Sequence, residues 1–143
     1  MAAMTKYAAI DTVPEPDAGF APASEEDEVA RRLLRPCFPS DRELLLLAGF
    51  DAFERLVAFE SVDEGTAARC TVAPRRWRSL LGGGVRFVLM AHNHPSAVAR
   101  PSRADIACTR DAAAFLAVLG VDLIDHLIFV EAGHFSFRRA GLL

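Results

Sequence analysis

The chain has 143 residues, of which 52% are hydrophobic and 24% charged, and its formal net charge is -3. A chain of this size can bury a core of its own as one domain, and its weak negative balance excludes a general attraction to phosphate backbones. No segment reaches the roughly 18 to 20 uninterrupted apolar residues of a membrane span, and the N-terminus lacks the apolar stretch of a signal peptide, so a soluble cytoplasmic protein is expected. Cys37, Cys70 and Cys108 match neither a paired metal knuckle nor an even-numbered bridge framework and are expected to be reduced thiols.

In chain order, residues 1–23 are rich in Ala, Pro and acidic side chains and read as a flexible arm. Ser24 before Glu25-Glu26-Asp27, followed by Val29, Ala30, Leu33 and Leu34, reads as a capped short helix stopped by Pro36 and Pro39. Residues 24–40 are then a packing helix and linker. The apolar runs ELLLLAGF (43–50) and ERLVAFES (54–61), separated by Asp51 and Ala52, predict two antiparallel strands. A loop through Gly65 and Thr66 leads to Pro74, which opens a short helix that Gly82-Gly83-Gly84 ends. Val85–Ala91 is continuously apolar, the signature of a strand buried on both faces. Ser102 to Leu119 reads as a longer helix closed by Gly120, and VDLIDHLIFV with HFSF as a terminal hairpin. The order predicts an α/β or α+β mixed sheet and not a doubly wound parallel one.

Chemistry gathers where the apolar strand runs out. Pro95 stops the ladder just after His92-Asn93-His94, and residues two apart on extended chain point to one side, so the two imidazoles can share a metal ion. A third ligand is needed, and Asp105, in the first turn of the next helix, is the candidate. The stretch Ser102-Arg103-Ala104-Asp105 also reads as a capping box, which would aim the carboxylate at the Ser102 amide rather than at the imidazoles. A hydrolytic site needs a proton acceptor as well. Glu60, near the end of the second strand, suits this better than Glu54, Asp63 or Glu64, which read as turn or loop charges. His126 reads as a core or sheet-edge residue and His134 as a hairpin-tip residue, neither of them a ligand. Arginines at 75, 76 and 78 around Trp77, and at 100, 103 and 110, read as solvated helix faces or as a local nucleic-acid patch. The HExxH signature of zincin peptidases and the PCxxC signature of nucleobase deaminases are both absent.

With Glu60, His92, His94, Ser102 and Asp105 in view, the sequence resembles the RadC-like branch of the JAB/MPN (JAMM motif) metalloenzyme domains. The family pattern is a glutamate, then His-x-His, seven residues and Ser-x-x-Asp; here HNH, PSAVARP and SRAD fit without gaps. ESVDEGT, MAHNHPS, RPSRADI, DHLIF and SFRRAGLL look like blocks of the same family in order, over residues 41–143. The resemblance implies a curved mixed β-sheet flanked by helices, related to the cytidine-deaminase-like architecture. It also implies one zinc ion per chain on His92, His94 and Asp105, with Glu60 as the residue that deprotonates water and Ser102 as the oxyanion donor. The expected activity is metal-dependent hydrolysis of a peptide or isopeptide bond in a peptide or protein substrate. The alternatives are a nucleic-acid-binding accessory role, in line with the family's label of DNA repair protein, and a non-catalytic interaction module. No membrane partner is expected, and a dimer is allowed. Ala97 stands where RadC-type chains usually carry glycine after HNHPS; a positive φ there would strain it.

Overall fold

The structure, a computed structural model, describes residues 18–62 and 72–143. The expectations for residues 1–17, for Asp63 and Glu64, for the loop at Gly65 and Thr66, and for Cys70 lie outside the described residues. Six strands form one mixed sheet: β1 (Phe20–Pro22), β2 (Leu45–Phe50), β3 (Leu56–Val62), β4 (Phe87–Asn93), β5 (Asp122–Val130) and β6 (Gly133–Ser136). Their spatial order is β1-β6-β5-β4-β2-β3. Only β4 and β5 run parallel; every other neighbouring pair is antiparallel. Among the described residues two α-helices, α1 (Pro74–Leu80) and α2 (Arg103–Val118), lie between β3 and β4 and between β4 and β5.

Alternation along β2 and β4 divides the core. Leu45, Leu47, Val88 and Met90 join Trp77 and Leu80 of α1 and Ala112 and Leu116 of α2 on one face. Leu46, Ala48, Leu89 and Ala91 point the other way, to Ala30 and Leu34. β4 is therefore covered on both sides, which is why its sequence shows an unbroken apolar run. The second face is closed by a π-helical stretch, Val29–Leu34. Asp27, not Ser24, caps this stretch, its Oδ1 accepting from the Ala30 N–H at 2.8 Å. Pro36 sits inside the 3-10 turn that follows, Arg35–Cys37, which ends before Pro39.

Residues 20–22, expected in the arm, instead pair as β1 with β6. The approach is close: a Cβ on Gly133 would lie 2.1 Å from the Ala21 carbonyl oxygen, which glycine alone permits. Cys37 is exposed and free, whereas Cys108 is disulfide-bonded, which corrects the expected reduced thiol at 108. Among the described residues no helix is long and apolar enough to cross a membrane.

Candidate metal centre

β4 ends in the site. His92 and Asn93 are its last buried residues. The main chain still follows β5 one residue further, since the His94 N–H donates to the Phe129 carbonyl at 2.9 Å. His92 and His94 thus leave the same strand end two residues apart. Asp105 arrives from the first turn of α2, where Ser102 is the N-cap. Ser102 Oγ accepts from the Asp105 N–H at 3.0 Å and Asp105 Oδ2 accepts from the Ser102 N–H at 2.8 Å, a complete capping box.

Capping and convergence coexist. Asp105 Oδ2 lies 3.4 Å from His94 Nε2 while Oδ1 lies 3.6 Å from His92 Nε2, and the Asp105 side chain is 4% exposed. The two Nε2 atoms are 3.0 Å apart. One ligand atom from each of the three residues falls within 4.8 Å of the others, a set able to hold a metal ion. The box uses one oxygen through one face of the carboxylate, so anchoring the helix and presenting the acid are compatible tasks.

The remaining ring nitrogens decide what those Nε2 atoms carry. His94 Nδ1 is 2.8 Å from the Val98 carbonyl, which can only accept, so Nδ1 bears the proton and a neutral ring leaves Nε2 bare. His92 Nδ1 is 2.7 Å from His126 Nε2, buried behind it. Burial strips water from Asp105 and would raise its pKa, but the two imidazoles, His92 foremost, and the Ser102 amide outweigh this and hold it well below the usual carboxylate range. For His94, burial acts downward and is overcome by Asp105, the Val98 carbonyl and the charge of Glu43, so its pKa is raised.

Glu60 is not brought to this group. It faces Leu47 on β2, which in turn faces Met90 on β4, so the whole width of β2 separates it from the histidine strand. Its Oε1 accepts a hydrogen bond from Ser79 of α1. Its Oε2 is buried with no hydrogen-bond partner among the described residues. Among the described residues a second carboxylate, Glu43, acts on the imidazoles, its charge favouring protonated His94. Leu45 is paired with His92 and the Leu44 N–H donates to Asn93 Oδ1 at 2.8 Å, so Glu43, one residue further back, stands level with His94. The expected role of Glu60 is thus at odds with the strand order.

Glu43 was missed because it reads as the polar start of an apolar run; the antiparallel pairing of β2 with β4, which sets the start of one beside the end of the other, was the available signal. Beside the site, a cleft of about 330 Å³ is lined by Phe38, Pro39, His94, Pro95, Ala97 and Phe129, among others.

The fold is a mixed sheet covered on both faces, with two histidines and an aspartate converging at the end of its central strand in a set that could hold a metal ion. The RadC-like JAB domain family matches residues 23–142. The chain belongs to that family, and the match begins earlier than residue 41. Relatives include a UPF0758 protein of Leptothrix cholodnii, 32% identical over 87% of this chain and 68% of its own length. Another, from Thiobacillus denitrificans, is 34% identical over 89% of this chain and 55% of its own length. A third, from Methylibium petroleiphilum, is 38% identical over 71% of this chain and 46% of its own. The chain thus spans about half to two thirds of the length of these relatives.

Proposed function

We propose that this domain is a zinc-dependent hydrolase of peptide or isopeptide bonds. The observation that carries the reading is the meeting of two imidazole nitrogens 3.0 Å apart with a buried carboxylate facing both. Two ring nitrogens at that separation need a shared proton or a cation between them, and the adjacent carboxylate favours positive charge there. Two nitrogens and one carboxylate suit zinc in a catalytic site, where three protein ligands leave a position for water or substrate. A zinc ion held there would supply Lewis-acid polarisation of a carbonyl and acidify a water molecule.

The protein's own groups would do the rest. Glu43, level with His94 and half-buried, is placed to take the proton of the attacking water and pass it to the leaving amine. Ser102 is exposed, and its hydroxyl accepts from the Asp105 amide, which leaves its own proton free to donate to the oxyanion that develops on the carbonyl. The cleft beside His94 offers room for a substrate side chain next to the scissile bond.

The test pairs metal content with turnover on a panel of peptide and isopeptide substrates. Glu43→Gln is expected to keep zinc and to lose at least about 100-fold in kcat. Glu60→Gln is expected to retain both. Turnover that survives in Glu43→Gln but not in Glu60→Gln would return the role to Glu60, and protein purified without metal that takes up no zinc would remove the hydrolase reading altogether.

A further inference from the structure

We propose that Thr109 and His126 are positioning residues that fix the tautomer of His92 and so the direction in which it offers a lone pair. The inference rests on the reading of His92, His94 and Asp105 as metal ligands, and it concerns two residues outside that set.

The irregularity between β4 and β5 makes the arrangement possible. Val88 pairs with Leu123, but Leu89 pairs with Asp125, so Ile124 is an extra residue on β5. From there onward the faces of β5 are reversed, because a one-residue slip turns each side chain to the opposite side. Met90 consequently pairs with His126, on the same face as His92, whereas an unbroken register would have turned His126 to the π-helical side. It lies one row behind His92 and is wholly buried. Phe137 stacks on its ring, with centroids 4.8 Å apart and planes 10° from parallel.

The proton positions follow from the far end of the chain of contacts. Thr109 Oγ1 is 2.6 Å from the Asp105 main-chain carbonyl and 2.6 Å from His126 Nδ1. The carbonyl can only accept, so the hydroxyl donates to it and must accept from His126 Nδ1–H. His126 Nε2 is then bare and accepts from His92 Nδ1–H at 2.7 Å. That leaves the Nε2 lone pair of His92 aimed where Asp105 Oδ1 and His94 Nε2 also point. The relay begins on one ligand and ends on the main chain of another, tying β4 to the first turn of α2. Histidine ligands characteristically have the second nitrogen held in this manner, and loss of such a partner costs about 10- to 100-fold in metal affinity.

The variants are Thr109→Val, which removes the hydroxyl at constant shape, Thr109→Ser, which restores it, and His126→Phe, which keeps the ring stack on Phe137 without an acceptor. Two readouts apply: the tautomer of each histidine by nitrogen NMR in metal-free protein, and zinc affinity by competition with a chelator. His92 is expected as the Nδ1–H form in the parent protein and in Thr109→Ser. Zinc affinity should fall about 10- to 100-fold in Thr109→Val and His126→Phe and stay within about twofold in Thr109→Ser. An Nε2–H tautomer of His92 in the parent protein, or parental zinc affinity in both Thr109→Val and His126→Phe, overturns the proposal. If the variants do not fold, the NMR result on the parent protein decides. If the parent protein binds no zinc, the metal-site reading falls, while the tautomer measurement still judges the relay separately.

Discussion

Two buried carboxylates, Glu26 and Asp105, each face histidine side chains, and their surroundings differ in charge balance. Glu26 accepts from Arg35 Nε and Nη2 at 2.6 Å each and from His134 Nδ1 at 2.6 Å. Arg35 in turn donates to the carbonyls of Val130 and Gly133. That cluster is closed: a bidentate cation matches the anion and ties the segment before the π-helical stretch to the turn between β5 and β6. At Asp105 the imidazoles stand at 3.4 and 3.6 Å, beyond ordinary hydrogen-bond reach, and their second nitrogens are committed elsewhere. The first arrangement is complete with protein groups alone. The second brings two imidazole nitrogens and one carboxylate to a common point, a set able to hold a metal ion.

The largest effect that would break this contrast is expected on the closed side. Arg35→Ala would leave Glu26 buried without its counter-charge and should cost about 3 to 5 kcal/mol of stability, read from urea unfolding, with zinc affinity of the folded fraction unchanged. Next comes the open side. His94→Ala should weaken zinc binding by more than about 100-fold, or about 2.7 kcal/mol. Its unfolding midpoint should move much less than that of Arg35→Ala, since His94 Nε2 stands 3.4 Å from Asp105 Oδ2, longer than the 2.6 Å bonds of the closed cluster. A large stability loss in metal-free His94→Ala would mean that the imidazoles are structural partners of Asp105 after all, and the contrast would fail.

Much of the open cluster was legible in the sequence, because its parts lie at element boundaries that sequence marks strongly. A proline after a buried strand and a capping box before an apolar-periodic helix placed His92, His94 and Asp105 at two neighbouring ends. What was not legible depends on strand order and register. Glu60 and Glu43 stand at the end of one apolar run and the start of another, and only the pairing of β2 between β3 and β4 shows which comes near the imidazoles. His126 was read as a core or sheet-edge residue, and it is wholly buried and hydrogen-bonded. Its bond to His92 was hidden by the extra residue Ile124, since a bulge leaves no mark in the alternation of VDLIDHLIFV. β1 has three residues, too few to show a period, and the closed cluster joins Glu26 to residues more than a hundred positions away.

Acid titration sharpens the same comparison. Burial alone would raise the pKa of Glu26, but its bonds to Arg35 and His134 more than offset that, so the folded-state value is lowered below the ordinary one. A depressed carboxyl contributes stability above the unfolded-state pKa of about 4.3 and loses it as pH falls through the folded value. Urea midpoints should therefore drop more steeply between about pH 5 and about pH 3 in the parent protein than in Glu26→Gln. The substitution lowers stability at neutral pH but removes the titrating group, so it is the slope that reads the linkage. Equal slopes would show that the closed cluster contributes nothing to the acid limb.

The smallest expected effect concerns the loop that holds His94. Ala97 has φ +68, one of two non-glycine residues with positive φ among the described residues, and its N–H donates to the His94 carbonyl at 3.2 Å. The next residue, Val98, supplies the carbonyl that fixes His94 Nδ1. The left-handed conformation costs an L-residue about 1 to 2 kcal/mol, and glycine returns part of that relief through its freer unfolded chain. Ala97→Gly should therefore stabilise the protein by about 0.5 to 1 kcal/mol. Zinc affinity should stay within about twofold, because the Val98 carbonyl is a main-chain group that the substitution does not remove. Destabilisation by Ala97→Gly would mean that the methyl group contributes packing in the adjoining cleft that exceeds the backbone strain, and the rigidity of the open cluster would then have to be credited to the cleft wall as well as to the turn.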